Sequence, residues 1–438
     1  MQDRFCAHSV RSLDTADAHR QTRRRGVTSA DTTFRRPFRL RNKVQHYDWG
    51  TKDGNAFIPH LTGSPVMPGL PYAELWIGAH PSAPSEIVVG NRAVRLDRVI
   101  GEVPLEILGE EVARAFRGKL PFLLKVLSAA RALSIQTHPN KEQARKLHAA
   151  DPAHYPDDNH KPEIAIALDS LTAIAGFRPA REIADAFRRH PELGEITGEG
   201  LMRDVLSTRD ETRLAGHLKA AYAEIMRRAD DEATLDSVIG NVVDRLSAAG
   251  SRSEEEKLFA DQYGLYGADV GLLSIFFFNL IHLKERQAIF TEAGVPHAYI
   301  RGNIVECMAN SDNVVRAGLT GKFKDVASLL EIMTYRFGRY PVINEDQRSD
   351  GVVYRTGAAE FELTGYRKGA RVETAVRPGR RPVVVLVLSG SLDVRWEGEG
   401  APSTEAFRKG ESFLIPAVLP EVLMSAREDV EFYTVSVP

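Results

Sequence analysis

From Phe38 onward this chain is written mostly in short apolar or alternating runs that are cut off by Gly and Pro. Examples are SEIVV at 85–89, FLLKVL at 122–127, LSIQT at 133–137 and EIAIAL at 163–168. Side chains alternate faces along a strand, and Gly or Pro ends it, so such a text folds into a barrel or sandwich. The pattern breaks once. Between 181 and 263, notably at 181–189 and 214–228, apolar residues recur every three or four positions with charges outside, which predicts amphipathic helices. Strand signals return at 271–308, a helix is expected over 324–335, and a second strand-rich unit is built on PVVVLVLSGSLDVRW at 382–396 and GESFLIP at 410–416.

The expected organisation is therefore mainly β with a helical subdomain. Residues 38–180 and 264–345 form a core, 181–263 the helical subdomain and 346–438 a C-terminal β domain. Residues 1–37 are Arg-, Ser- and Thr-rich with little apolar periodicity. They are read as a disordered extension, or as the product of a start codon placed too early. Asp3, Asp14, Asp17 and Asp31 break the acid-poor character of a transit peptide.

Charge excludes some function classes. With 57 basic and 59 acidic residues the net charge is −2, so there is no basic excess for nucleic acid. The longest apolar run, LLSIFFFNLI at 272–281, is too short to span a bilayer and reads as a buried strand. The only cysteines, Cys6 and Cys307, make no disulfide framework and point to a reducing, cytoplasmic setting. Cys307 reads as core.

Three segments carry candidate chemistry: SIQTHPN at 134–140, HKPEIAIAL at 160–168 and GVPHAYIR at 294–301. Strand parity places Ser134, Gln136 and His138 on one face, Lys161 and Glu163 on another if the strand already starts at Lys161, and His297 with Tyr299 on a third. Together they offer Gln136, His138, Glu163 and His297 to one point. Imidazole nitrogen and carboxylate oxygen suit zinc, and equally iron or manganese; a glutamine ligand is unusual, and periodicity alone would not select it. Taken singly, each motif is more often a hydrogen-bonded pair. His148, His190 and His217 are expected to be solvated, and His160 to be a loop residue. No histidine follows His297, so the C-terminal unit is read as structural.

At these residues the chain resembles the type I phosphomannose isomerases of the cupin superfamily. The matching words are VQHYDWG (44–50), YAELWIG (72–78), LPFLLKVLS (120–128), LSIQTHPNK (133–141), NHKPEIA (159–165), PHAY (296–299) and ECMANSDNVVRAGLTGK (306–322). The resemblance implies a cupin-like jelly-roll barrel core and a second, jelly-roll-like C-terminal domain. It implies a zinc-dependent aldose–ketose isomerase that interconverts mannose 6-phosphate and fructose 6-phosphate through an enediol and feeds GDP-mannose synthesis. One zinc per chain would sit on Gln136, His138, Glu163 and His297. Arg316, Lys161, Glu306 and Lys125 would be catalytic, and Ser134, Tyr299, Asp312 and Lys322 would bind substrate. A monomer with a sugar phosphate as its only partner is expected, without membrane or nucleic acid. Arg316 has an alternative as a salt-bridge partner of Asp312, and Trp49 and Trp76 read as packing. The chain departs from the family at Gly321, where Pro is usual, and at 284–286, where a Pro-Gly turn is common. The rival readings are a non-catalytic sugar-binding cupin and an iron dioxygenase.

Overall fold

The computed structural model describes residues 34–344, 351–398 and 401–438. Residues 1–33, and with them nearly all of the expected N-terminal extension, lie outside the described residues. Phe34 is buried against Phe38, so packing begins ahead of residue 38.

The mainly-β architecture with a helical subdomain is present. A ten-stranded sheet is organised around one long strand, His297–Ala309. Its second half is flanked by Phe122–Ala129 on one side and Glu163–Ala167 on the other. Its first half meets Leu171–Phe177 and Ile135–Thr137. Parity then divides the side chains. Leu124, Val126, Ile164, Ile166, Val305 and Cys307 turn to one apolar core. Their neighbours Lys125, Glu163 and Glu306 turn to the opposite face.

The same core receives Val384 and Leu386 from Val383–Ser389, a strand of the six-stranded sheet built mainly by the C-terminal chain. The alternate residues Val383, Val385 and Val387 face a four-stranded sheet instead, meeting Leu392, Val394 and Met424. This explains why that segment is an unbroken run of Val and Leu: both faces are buried, each side chain contributing roughly 1.5–3 kcal/mol. The six-stranded sheet is completed by Phe38–Leu40, which pairs antiparallel with Ser412–Ile415.

Helices Ala180–Arg189, Glu192–Thr197, Glu199–Ser207, Glu211–Arg227, Glu232–Ala248 and Glu254–Tyr266 occupy the interrupted stretch. Asp210, Asp231 and Ser253 cap three of them, each accepting a backbone N–H three residues on. Leu214, Leu218, Tyr222 and Ile225 form the buried stripe, with Tyr222 set edge-on to Phe177.

Four local expectations change. Residues 272–281 are not one strand: a helical turn, Gly271–Ser274, precedes the strand Phe278–Leu283. A fully apolar run has no period with which to separate the two. The helix expected over 324–335 is the shorter Val326–Ile332, capped by Asp325. The strand expected over 133–137 is only Ile135–Thr137. His190 is buried rather than solvated, stacked on Phe276 with its Nδ1 accepting from Arg245 at 2.7 Å. At 284–286, Arg286 adopts a left-handed φ of 68° and is buried, its guanidinium 3.2 Å from Glu431. No helix among the described residues is long and apolar enough to cross a membrane.

Candidate active site and metal centre

Three metal-ligating groups converge on the polar face of the long strand. His297 Nε2 lies 2.7 Å from Glu163 Oε1, and His138 Nε2 lies 3.6 Å from Glu163 Oε2. All three residues are buried. Each imidazole is fixed from behind. His138 Nδ1 donates to the Asn313 carbonyl at 2.8 Å and His297 Nδ1 to the Val295 carbonyl at 3.0 Å. With Nδ1 carrying the proton, both Nε2 lone pairs are turned inward.

Those inward atoms are left over. His138 Nε2, His297 Nε2 and Glu163 Oε1 are buried without a hydrogen-bond partner. Buried polar atoms are normally satisfied, so three unsatisfied lone-pair atoms, on residues whose ligating atoms lie within 4.8 Å of one another, fit a cation bound between them. Gln136 stands directly across the ladder from His297, and Arg316 directly across from Gln136. The row Arg316–Gln136–His297 thus crosses three strands with its side chains on one face. Of the ligand set expected from the sequence, His138, Glu163 and His297 come together and Gln136 is placed only by its register opposite His297; His138 lies beyond the last residue of its strand.

The remaining charges form a buried chain. Lys161 Nζ is 3.1 Å from Glu163 Oε2; Lys125 Nζ is 3.1 Å from Glu306 and 3.5 Å from Glu74. Burial opposes the charge on Glu163, but Lys161 and the two histidines outweigh it and hold its carboxyl well below the usual range. Burial raises Glu306 instead, with Lys125 opposing and Glu163 adding to the rise. Burial also works against the Lys125 ammonium, yet Glu74 and Glu306 keep it charged. Burial, then the charge on Lys161, lowers His138 to about 4, so its imidazole is neutral as a ligand must be. Tyr299, buried beside His297, is raised by burial and then by Glu163 and Glu306.

Other expected residues sit further out. Arg316 is half-buried and makes no ion pair or hydrogen bond with the described residues. The expected alternative pairing with Asp312 is absent, because Asp312 faces His80 Nε2 at 3.5 Å. Lys322 is exposed, its ammonium 5.8 Å from the Tyr47 ring centroid. Ser134 is half-buried ahead of its strand and forms no hydrogen bond with the described residues.

Sequence reasoning missed Glu74 and His80 and undervalued Trp76. Trp76 Nε1 donates to Glu74 Oε2 at 2.5 Å, its ring lies 5.3 Å from the Lys125 ammonium, and His80 meets its edge. The available signal was one acid inside an otherwise apolar strand, ELWIG. His80 and Asp312 also line a groove of about 770 Å³.

Comparison with known proteins decides the family. Residues 37–180 match the catalytic domain of type I phosphomannose isomerase. A mannose-6-phosphate isomerase of Arabidopsis thaliana is 35% identical over 413 residues, 90% of this chain and 91% of that protein. The chain belongs to the type I phosphomannose isomerase family. The human mannose-6-phosphate isomerase is 40% identical over 313 residues, 68% of this chain and 73% of its own. Among solved structures, a mutant phosphomannose isomerase of Salmonella typhimurium superposes with a TM-score of 0.79 at 28% identity, covering 91% of this chain and 98% of that one. A mannose 6-phosphate isomerase bound with zinc and yttrium gives a TM-score of 0.78, again at 28% identity. The chain is thus an isomerase with the phosphomannose isomerase fold.

Proposed function

We propose that this isomerase interconverts mannose 6-phosphate and fructose 6-phosphate through an enediol, with one zinc per chain on Gln136, His138, Glu163 and His297. The observation that carries the reading is the convergence of unsatisfied Nε2, Nε2 and carboxylate oxygen atoms, each imidazole held by a backbone carbonyl. Bound there, zinc supplies Lewis-acid polarisation of a substrate oxygen.

The protein's own groups supply the rest. In the open-chain aldose a proton leaves C2 and its electron pair forms the C1=C2 bond as the C1 carbonyl oxygen takes a proton, giving the enediol. The O2 hydroxyl then gives up its proton to form the C2 carbonyl as a proton is delivered to C1. Glu306 and Lys161 are the proton-transfer candidates, with Lys125 beside Glu306 at 3.1 Å to set its charge. Arg316 presents unused guanidinium donors to the developing oxyanion or to phosphate, and Lys322 adds a point charge at the rim with Ser134. Tyr299 and Asp312 complete the wall. The reading extends to a monomer in a reducing cytoplasm that supplies mannose activation, in keeping with the free, buried Cys307.

The test is a coupled assay of fructose 6-phosphate formation from mannose 6-phosphate before and after chelation. Activity is expected to vanish with the metal and to return with added zinc. Full turnover in demonstrably metal-free protein rejects the reading.

A further inference from the structure

Glu360 is 1% exposed and comes from the C-terminal strand-rich region, just ahead of the strand Glu362–Lys368. Its side chain nevertheless reaches the catalytic core. Its Oε1 accepts from His160 Nε2 at 2.7 Å and from Lys141 Nζ at 3.5 Å, while Oε2 is buried without a partner. A buried carboxylate is retained at a cost unless charged donors hold it, and here the close donor is the residue next to Lys161.

The segment that Glu360 grips is knotted to a second one. Asn159 Nδ2 donates to the Asn310 carbonyl at 2.9 Å, and the Asn159 carbonyl accepts from Asn313 Nδ2 at 2.9 Å and Ser311 Oγ at 3.1 Å. Asp157 accepts from Ser311 Oγ and from the Asp312 N–H, both at 2.8 Å. Asn313 in turn offers the carbonyl that fixes His138, and Arg316 follows three residues later. One clasp therefore bears on Lys161 and Glu163 through the chain segment that carries His160, and on His138 and Arg316 through the paired loop.

We propose that Glu360 is a positioning residue for the isomerisation, acting through His160 on the two loops that carry the active-site side chains. The C-terminal unit, read from sequence as structural, is then part of the catalytic apparatus. The proposal rests on the functional reading of Lys161 and Arg316 given above.

The experiment measures kcat, KM, metal content and melting temperature for Glu360→Ala, His160→Ala, the double variant, Glu360→Gln and Lys161→Met. Glu360→Ala is expected to lower kcat roughly tenfold, with KM and metal content close to those of the parent. His160→Ala should match it, the double variant should be no worse than either single one, and Glu360→Gln should recover most of the loss because its amide oxygen still accepts from His160. A lower melting temperature with unchanged kcat in Glu360→Ala, alongside an inactive Lys161→Met, overturns the proposal. Full turnover in Lys161→Met instead overturns the reading of the site on which it rests. If Glu360→Ala fails to fold, His160→Ala carries the same comparison from the core side.

Discussion

Arg316, Gln136 and His297 occupy one row across three strands, and Arg316 is the one charged side chain of the three, with no ion pair or hydrogen bond to the described residues. Arg316→Lys keeps the positive charge and removes the planar fork. It should lower kcat by roughly 10²-fold while metal content stays at the parent level, measured by steady-state assay and metal analysis. Parental turnover would remove Arg316 from the site. At this scale the sequence was informative where parity applied. Glu163 and His297 each begin a strand, on the face that parity assigned them, and their ligating atoms meet, while Gln136 stands across the ladder from His297. His138 was selected by the same parity although the ladder ends at Thr137, so its position depends on the Asn313 carbonyl rather than on the strand. Glu74 gave no such signal, because a single acid in ELWIG has no polar neighbour in sequence; its partners Lys125 and Trp76 meet it only across the folded sheet.

Between elements, the strand that delivers Arg316 depends on a close backbone approach. Gly318 ends that strand at φ 144°, and a Cβ there would lie 2.4 Å from the Gly271 Cα. Asp269 ties the two segments together, accepting from the Gly271 N–H at 2.7 Å and the Leu319 N–H at 2.5 Å. Gly318→Ala should therefore destabilise the fold by roughly 2 kcal/mol or more, read from the urea midpoint, and should disturb Arg316 with it. A midpoint equal to that of the parent would contradict the packing described. Element type was legible from periodicity for the helices Ala180–Arg189 and Glu211–Arg227, whose apolar stripes are complete. It was not legible for 272–281, where every face is buried and the pattern is uniform. The left-handed Arg286 was also beyond sequence, since its side chain is secured by Glu431 from the far end of the chain.

Over the whole molecule, one buried histidine gives stability a pH dependence away from the active site. His190 accepts from Arg245 through Nδ1, faces Glu256 at 3.6 Å through Nε2, and is lowered to about 4 by burial and then by the Arg245 charge. Its folded value lies below the unfolded value of about 6.5, so the unfolded chain binds the proton more readily. Its contribution is present in full above pH 6.5 and is lost as pH falls toward 4. Urea unfolding between pH 7 and pH 4.5 should show a smaller acid loss in His190→Gln than in the parent. Equal slopes would refute the assignment. The sequence placed His190 among solvated residues because Arg245, which controls it, is 55 positions away.

The pairing of Phe38 with Leu414 has a consequence for biosynthesis. A ribosome delivers that first strand hundreds of residues before its partner emerges. Until translation is nearly finished, that strand has no partner and is open to wrong associations, and the core strands must fold beside a sheet that is not yet complete. A nascent chain stalled before residue 412 should therefore be held by chaperones, and release of the last strands should be the event that ends this dependence.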